Sequence, residues 1–469
     1  MVKTILIVGT IYLMVLISLG LRARSRDKSS KQYLMAGSNL GAFLGFFTFA
    51  ATLFSTFTLL GMPDFFRVHG IGAWIFLAVS DAVMVFGIIW IGYGLRKHAR
   101  ETEYYGMAGF IGKRYGSSLA GITTFLGAFI FLIPYVAIQI RGVSIFLNAA
   151  FPHTLPIWVW AISIVIIMLI YSEIGGLKAI IYNDVFQGVL LLLAIWIVAL
   201  VCLNRIGGIE NMFTQVAESN PKLLSVPGPE GLLTIQFLLG STLVIALLPY
   251  TQPQISTRII ILKNIRALFR MAIGLGIFAI VIILPTMILG MYGAVHYSAD
   301  TTQDFLGKIF LYDQATWLGA LLLIGLIAAA ISTSDSQIFA LGSEVRSLLR
   351  GEDRKMVTIA RFAIILFALL SFVFAVLSSD ELVLLARTSF AGTSLMAPMI
   401  LLGIFHSNPG NFQWLPLCTA AGIVVLICSQ LGWVPHFLLG LRTDLFLLIA
   451  LASLAGGGLI IDRVKSSNK

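Results

Sequence analysis

Polar side chains are scarce in this chain, and charged ones scarcest. Of 469 residues, 58% are hydrophobic and only 11% are charged, a balance that excludes a soluble domain of this size. Three cysteines (Cys202, Cys418 and Cys428) are scattered through apolar stretches. They lack metal-ligand spacing, and no disulfide is expected. The six histidines all fall near loops, and no Ser-His pairing, metal-ligand cluster or phosphate loop stands out in the sequence. Asp184 and Asp335 form a conceivable intramembrane acid pair, but the Gly-x-Gly-Asp context of such catalysts is missing. No enzyme is expected.

What fills the chain is a series of apolar runs about 20 residues long, each sufficient to cross a bilayer. About thirteen membrane helices are expected, over residues 4–21, 41–66, 70–95, 117–150, 157–172, 178–203, 232–253, 268–292, 315–345, 356–378, 381–405, 412–431 and 443–461. The first run follows one lysine and precedes a basic cluster. That is the reverse of a cleaved signal peptide, so the run reads as a retained helix. Lysine and arginine then set the orientation. With the N-terminus outside, the inner loops hold Arg22, Arg24, Arg26, Lys28, Lys31, Arg96, Lys97, Arg100, Lys113, Arg114, Arg258, Lys263, Arg266, Arg270, Arg346, Arg350, Arg354 and Lys355. The outer loops hold Lys3, Arg67, Arg205, Lys222, Lys308 and Arg442. The asymmetry stays in phase across every span. It predicts a multi-pass protein of a bacterial inner membrane or a plasma membrane, N-terminus outside and C-terminus cytoplasmic. The net charge of +10 is thus explained by insertion into a lipid bilayer, with no nucleic-acid partner. The tail over 462–469 is too short for a regulatory domain. The sequence does not specify an oligomeric state.

Against this apolar background one cluster is conspicuous: Ser332, Thr333, Ser334, Asp335, Ser336 and Gln337, within a long hydrophobic run. Polar groups at membrane depth are costly unless they line a cavity, find a partner or hold an ion. Ser332, Asp335 and Ser336 are spaced i, i+3, i+4 and share one helical face. Hard oxygens grouped this way suit a hard cation. The bland alternative for Ser332 and Thr333 is a hydrogen bond back to their own helix.

Two expected helices look broken. Residues 49–58 place small and hydroxyl side chains in mid-membrane, and Leu248-Pro249-Tyr250-Thr251-Gln252-Pro253-Gln254 carries two prolines that remove backbone donors. The two lie five helices apart. That spacing is expected of two inverted five-helix halves, each contributing a discontinuous helix to the solute site.

Four motifs carry a resemblance. They are Tyr33-Leu34-Met35-Ala36-Gly37-Ser38-Asn39-Leu40-Gly41; the stretch from Gly175-Gly176-Leu177-Lys178 to Asn183-Asp184-Val185-Phe186-Gln187; Gln252-Pro253-Gln254 followed by Thr257-Arg258; and the Ser332–Gln337 cluster. In this order and spacing the chain resembles the sodium:solute symporter family, which includes sodium/proline, sodium/galactose and sodium/sialic acid symporters. The resemblance implies an all-α integral membrane protein with a LeuT-like five-plus-five inverted repeat, discontinuous at its first and sixth core helices. It implies sodium as coupling ion and a small-molecule solute as cargo; a proton-coupled carrier of the same fold is the alternative. It divides the chain into an extra helix and basic loop (1–32), a first repeat (33–203), an outer loop (204–231), a second repeat (232–410) and two further helices with a tail (411–469).

Carried over by position, the principal sodium site comprises carbonyls of Ala51, Phe54 and Ala329 with the hydroxyls of Ser332 and Thr333. Asp184 matches a carboxylate that some members place near a second ion, with Asp335 and Ser336 as neighbours; its alternative is a structural partner of the Lys178 region. Where the family's proline carrier has an aspartate this chain has Leu53, which argues against proline as the solute.

Candidates for solute contact are Ser55, Thr56 and Thr58 at the first break and Tyr250 and Gln252 at the second, the last two being equally placed to cap a helix. Asp81 and Gln139 lie within apolar spans. Arg141 and Arg387 sit too deep to snorkel; each either pairs with a protein carboxylate or grips a solute carboxylate. The second option makes the solute anionic or zwitterionic, in the class of carboxylates, amino acids or sugar acids.

Overall fold

The computed structural model describes residues 2–23, 39–101, 106–174, 177–349 and 353–467. The Tyr33–Ser38 part of the first motif, the basic residues of 24–31 and Gly175-Gly176 lie outside them.

The described residues form nineteen α-helices: α1 (Val2–Ala23), α2 (Ala42–Leu53), α3 (Met62–His69), α4 (Ser80–Glu101), α5 (Met107–Tyr115), α6 (Ser118–Ala150), α7 (Ile157–Ile174), α8 (Leu177–Arg205), α9 (Ile209–Ser219), α10 (Ile235–Thr251), α11 (Pro253–Ile260), α12 (Ile265–His296), α13 (Thr302–Gly307), α14 (Thr316–Leu348), α15 (Asp353–Leu377), α16 (Leu382–Ser394), α17 (Ala397–Phe405), α18 (Trp414–Gln430) and α19 (Thr443–Ser467). Seven helices are long and apolar enough to cross a bilayer, three bent pairs qualify when each is taken as one span, and three further apolar helices are shorter. All fall on the stretches expected from the sequence.

The bends have local causes. Between α2 and α3 the chain turns by 56°. Phe54 adopts extended backbone (φ −99°, ψ 100°), and the helix restarts through a π turn at Phe57–Gly61. Between α10 and α11 it turns by 60°. Extended Gln252 there precedes Pro253, which is at home in a first helical turn because it has no N–H to satisfy. A third bend of 45°, between α16 and α17, was not expected. It falls at Leu395-Met396, ahead of Pro398.

The packing inverts the arrangement of a soluble protein. Phe86, Trp90, Ile277 and Phe362 face outward, whereas Gln139, Asp184, Gln252, Arg258 and Asp335 are buried. Helix α2 is enclosed by α8, α11, α12 and α14, and α3 packs chiefly against α12. Close approach of α12 to α3 requires Gly290: a Cβ there would stand 2.4 Å from Phe66 Cβ and 2.6 Å from the Pro63 carbonyl.

Two smaller elements bear on the site. Short α5 is held at both ends. Glu344 of α14 accepts from the N–H groups of Met107 (2.7 Å) and Ala108 (2.6 Å), and Ser347 Oγ accepts from Gly109 (2.9 Å). A carboxylate at a helix N-terminus satisfies orphan donors and meets the positive end of the dipole. At the other end Arg114 donates to the carbonyls of Gly403 (2.8 Å) and His406 (2.5 Å), and Tyr115 to that of Met399 (2.8 Å), all around α17. Between α18 and α19 lies a hairpin, β1 (Phe437–Leu438) paired with β2 (Leu441–Arg442). Its two-residue turn, Leu439-Gly440, has positive φ at both positions, the geometry that suits the twist of paired strands.

Candidate functional site

The broken helix α2/α3 and α14 meet where the sequence places its sodium ligands. Extended backbone at Phe54 stops the α2 ladder, so carbonyls near the break are left for other donors. The Ala51 carbonyl accepts from Thr333 Oγ1 of α14 at 3.2 Å. The Thr52 and Leu53 carbonyls accept from the Tyr135 hydroxyl of α6 at 3.4 and 3.2 Å. Ala51 and Phe54 also border a cavity of about 20 Å³, otherwise lined by apolar groups and Thr58.

Asp184 of α8 lies beside this group. It accepts from Ser332 Oγ at 2.5 Å and from Thr48 Oγ1 of α2 at 2.7 Å. Three helices are therefore joined through one carboxylate. Ser332, expected in the principal site, thus donates to the Asp184 carboxylate expected at the second. Its alternative role, bonding back to its own helix, is not the geometry found.

Asp335, one turn further along α14, is buried, and neither of its carboxylate oxygens has a hydrogen-bond partner among the described residues. Ser336 accepts from Arg258 Nη2 at 2.8 Å. Arg258 corrects the sequence reading, which put it in an inner loop. It is 1% exposed, donates through Nη1 to the Gln254 carbonyl at 2.9 Å, and its Nε has no partner among the described residues. Its charge acts on both Asp184 and Asp335. The ion region thus combines two carboxylates and one guanidinium, away from water.

The solute candidates at the breaks separate into partnered and unpartnered atoms. Gln139 Nε2 donates to Ser55 Oγ at 3.0 Å, which ties α6 to the first break. Gln139 Oε1, Thr56 Oγ1 and Thr58 Oγ1 are buried without a hydrogen-bond partner among the described residues. At the second break Gln252 Oε1 accepts from Gln254 Nε2 at 2.7 Å, while Gln252 Nε2 and the Tyr250 hydroxyl lack a partner among the described residues. Neither side chain caps a helix. Asp81 of α4 is buried and has no ion pair or hydrogen bond among the described residues. Buried polar atoms are nearly always paired, so each unpaired one at the breaks calls for a partner.

The two deep arginines are committed to the protein. Arg141 Nε pairs with Asp380 at 2.7 Å. Arg387 Nη2 pairs with Asp444 at 2.8 Å and its Nε donates to Ser241 Oγ at 2.9 Å. Of the two options open in the sequence, the structure shows the protein carboxylate in both cases. Neither guanidinium joins the groups at the breaks.

A model of the sodium:solute symporter family matches residues 33–410. The chain belongs to the sodium:solute symporter family. It is a sodium-coupled symporter of a small solute, and sodium is its coupling ion. Among its relatives, the osmoregulated proline transporter OpuE of Bacillus subtilis (strain 168) is 23% identical over 443 residues, covering 90% of this chain and 88% of that protein. A sodium/pantothenate symporter of Haemophilus influenzae is 22% identical over 324 residues, covering 67% and 65%. A Na+-coupled sialic acid symporter, solved in a substrate-bound outward-open state, aligns over 97% of both chains with a TM-score of 0.75 at 18% identity. That likeness establishes the LeuT-like fold.

Within this symporter the residue that sequence reasoning missed is Arg258. Its position between Pro253 and Lys263, at the end of an apolar run, mimics a loop cation. The signal that it is buried was the Gln252–Arg258 motif itself: eight residues from Pro253 make a half-helix, which keeps Arg258 at the depth of the site.

Proposed function

We propose that this symporter carries a carboxylate-bearing solute, anionic or zwitterionic, in a site between its two breaks. The observation that carries this reading is the set of buried, unpartnered polar atoms there: Thr56 Oγ1, Thr58 Oγ1, Gln139 Oε1, Tyr250 OH and Gln252 Nε2. Half-helix N-termini at Thr56 and Pro253 place positive dipole ends beside them, the standard way for a discontinuous helix to receive an anionic group. No arginine is needed. Asp81, buried without a countercharge, suits the ammonium of a zwitterion. Proline, pantothenate and sialic acid, the solutes named for the relatives, all bear a carboxyl group.

Sodium occupies the carbonyls of Ala51, Phe54 and Ala329 with the hydroxyls of Ser332 and Thr333. Five neutral oxygens suit a monovalent ion that must also leave. Asp184, Asp335 and Ser336 form a second cation site. With both carboxylates ionised, Arg258 balances one charge and a cation balances the other. Sodium binding ties α2 to α14 and favours the state in which the solute site is formed. Coupling is the difference in ion and solute affinity between the two access states. The repeats are residues 33–203 and 232–410, flanked by one helix before and two after, with the N-terminus outside and the C-terminus in the cytoplasm of a bacterial inner membrane or plasma membrane. No catalytic step is assigned.

The test is thermal unfolding of the purified protein in detergent with a panel of carboxylates, amino acids and neutral sugars, each in sodium and in potassium. A ligand that binds the native state raises the midpoint by mass action. Carboxylates that stabilise in sodium alone are the expected result. Stabilisation by neutral sugars only would overturn the solute class, and stabilisation indifferent to sodium would overturn the ion-site assignment.

A further inference from the structure

A cavity of about 280 Å³ opens beside α16 and the β1–β2 hairpin, and none of its lining residues comes from either break. We propose that it is a second ligand site, separate from the transport site, that binds a small carboxylate with an apolar body.

Helix α16 stands between the two places. Its residues 384, 387, 388 and 391 line the cavity. Val383 lies beside Gly61 and Phe390 packs on Phe57 and Tyr135, all toward the first break. The i, i+3, i+4 spacing of the first set puts it on a different face from the second.

The cavity has a charge imbalance. Arg387 and Arg442 share the single carboxylate of Asp444, at 2.8 and 3.4 Å, leaving one positive charge over. Both guanidiniums also lie over the Phe237 ring, 4.9 and 5.5 Å from its centroid. Arg387 is deep and Arg442 stands at the rim, with side-chain exposures of 6% and 31%. Arg442 contacts Asp444 through Nε alone, so its two terminal nitrogens have no hydrogen-bond partner among the described residues. A free guanidinium edge is shaped for a carboxylate. Leu232, Leu384 and Leu426 supply apolar wall, which a halide ion leaves unfilled and a short aliphatic or aromatic carboxylate covers. A ligand here bridges α16 to the hairpin and so to α19.

The experiment is calorimetric titration of the purified full-length protein with benzoate, and with benzamide as its uncharged isostere. Saturable benzoate binding is expected in sodium and in potassium alike, with benzamide at least tenfold weaker. R442Q at the rim is expected to weaken benzoate at least tenfold, and L384W, which fills the cavity from an apolar position, to abolish it. S332A, in the ion site, is expected to leave benzoate affinity within twofold. Equal binding of benzamide, or no effect of R442Q and L384W, overturns the proposal. Benzoate binding that needs sodium and disappears in S332A also overturns it, by assigning benzoate to the transport site instead.

Discussion

Removing the Ser332 hydroxyl should damage sodium binding more than its size suggests. Ser332→Ala deletes one of the five proposed oxygen ligands and also the 2.5 Å hydrogen bond to Asp184. That acceptor is a carboxylate only 2% exposed, so water does not replace the lost donor freely. A hydrogen bond to a charged group contributes roughly 1.5–3 kcal/mol. At about 1.4 kcal/mol per tenfold, the half-saturating sodium concentration should rise by about 10- to 150-fold. Thr333→Ala, whose hydroxyl meets a neutral carbonyl at 3.2 Å, should cost less, roughly 0.5–1.5 kcal/mol or about two- to tenfold. The assay is sodium titration of the thermal midpoint, with Thr10→Ala as control because that hydroxyl only bonds back to Leu6 on an exposed face. The reasoning is refuted if Ser332→Ala shifts half-saturation less than twofold, or less than Thr333→Ala does.

Other outcomes follow from burial and close contact. Arg258→Met leaves Asp184 and Asp335 without their shared countercharge, and breaking a buried charge group costs about 3–5 kcal/mol; a large fall in thermal midpoint is expected, partly recovered by adding Asp335→Asn. If Arg258→Met alone unfolds like the parent, the two carboxylates do not depend on it. Gly290→Ala brings a Cβ against the backbone of α3 and should cost about 1–3 kcal/mol by overpacking, read as reduced folded yield and midpoint; an unchanged midpoint would mean that α12 and α3 can separate freely. Glu344→Gln weakens the charged cap on α5 by about 1 kcal/mol, which should appear as faster amide exchange at Met107 and Ala108 with sodium affinity unchanged.

Much of the fold was legible because lipid imposes a coarse rule. A helix must be apolar for about 20 residues, so the spans could be read from composition. The break at Gln252-Pro253 was legible because proline removes a donor. The bend at Leu395-Met396 was not, since no proline stands in the bend itself and Gly392 is only one of 44 glycines. The ion region was legible as a cluster on one helix, but its charge balance was not. Asp184 was expected there only through the family resemblance, and Arg258 comes from a half-helix whose proximity the tertiary fold supplies. The partners of Arg141 and Arg387 are 239 residues away and at Asp444. Choosing between a protein and a solute carboxylate therefore required coordinates.

The pinned helix α5 has a mechanical consequence. Nine residues at 1.5 Å each make a rod about 13 Å long, bolted to α14 at one end and to α17 at the other. A rod of fixed length does not stretch. Small strains between the two helices are resisted until the three bonds at one bolt give way together, so any motion that separates them has a yield point rather than a slope. The bend between α16 and α17 lies beyond the bolt. The half of that helix carrying Arg387 is anchored elsewhere, to Asp444 of α19 and Ser241 of α10, so the bend joins two segments held by different parts of the frame.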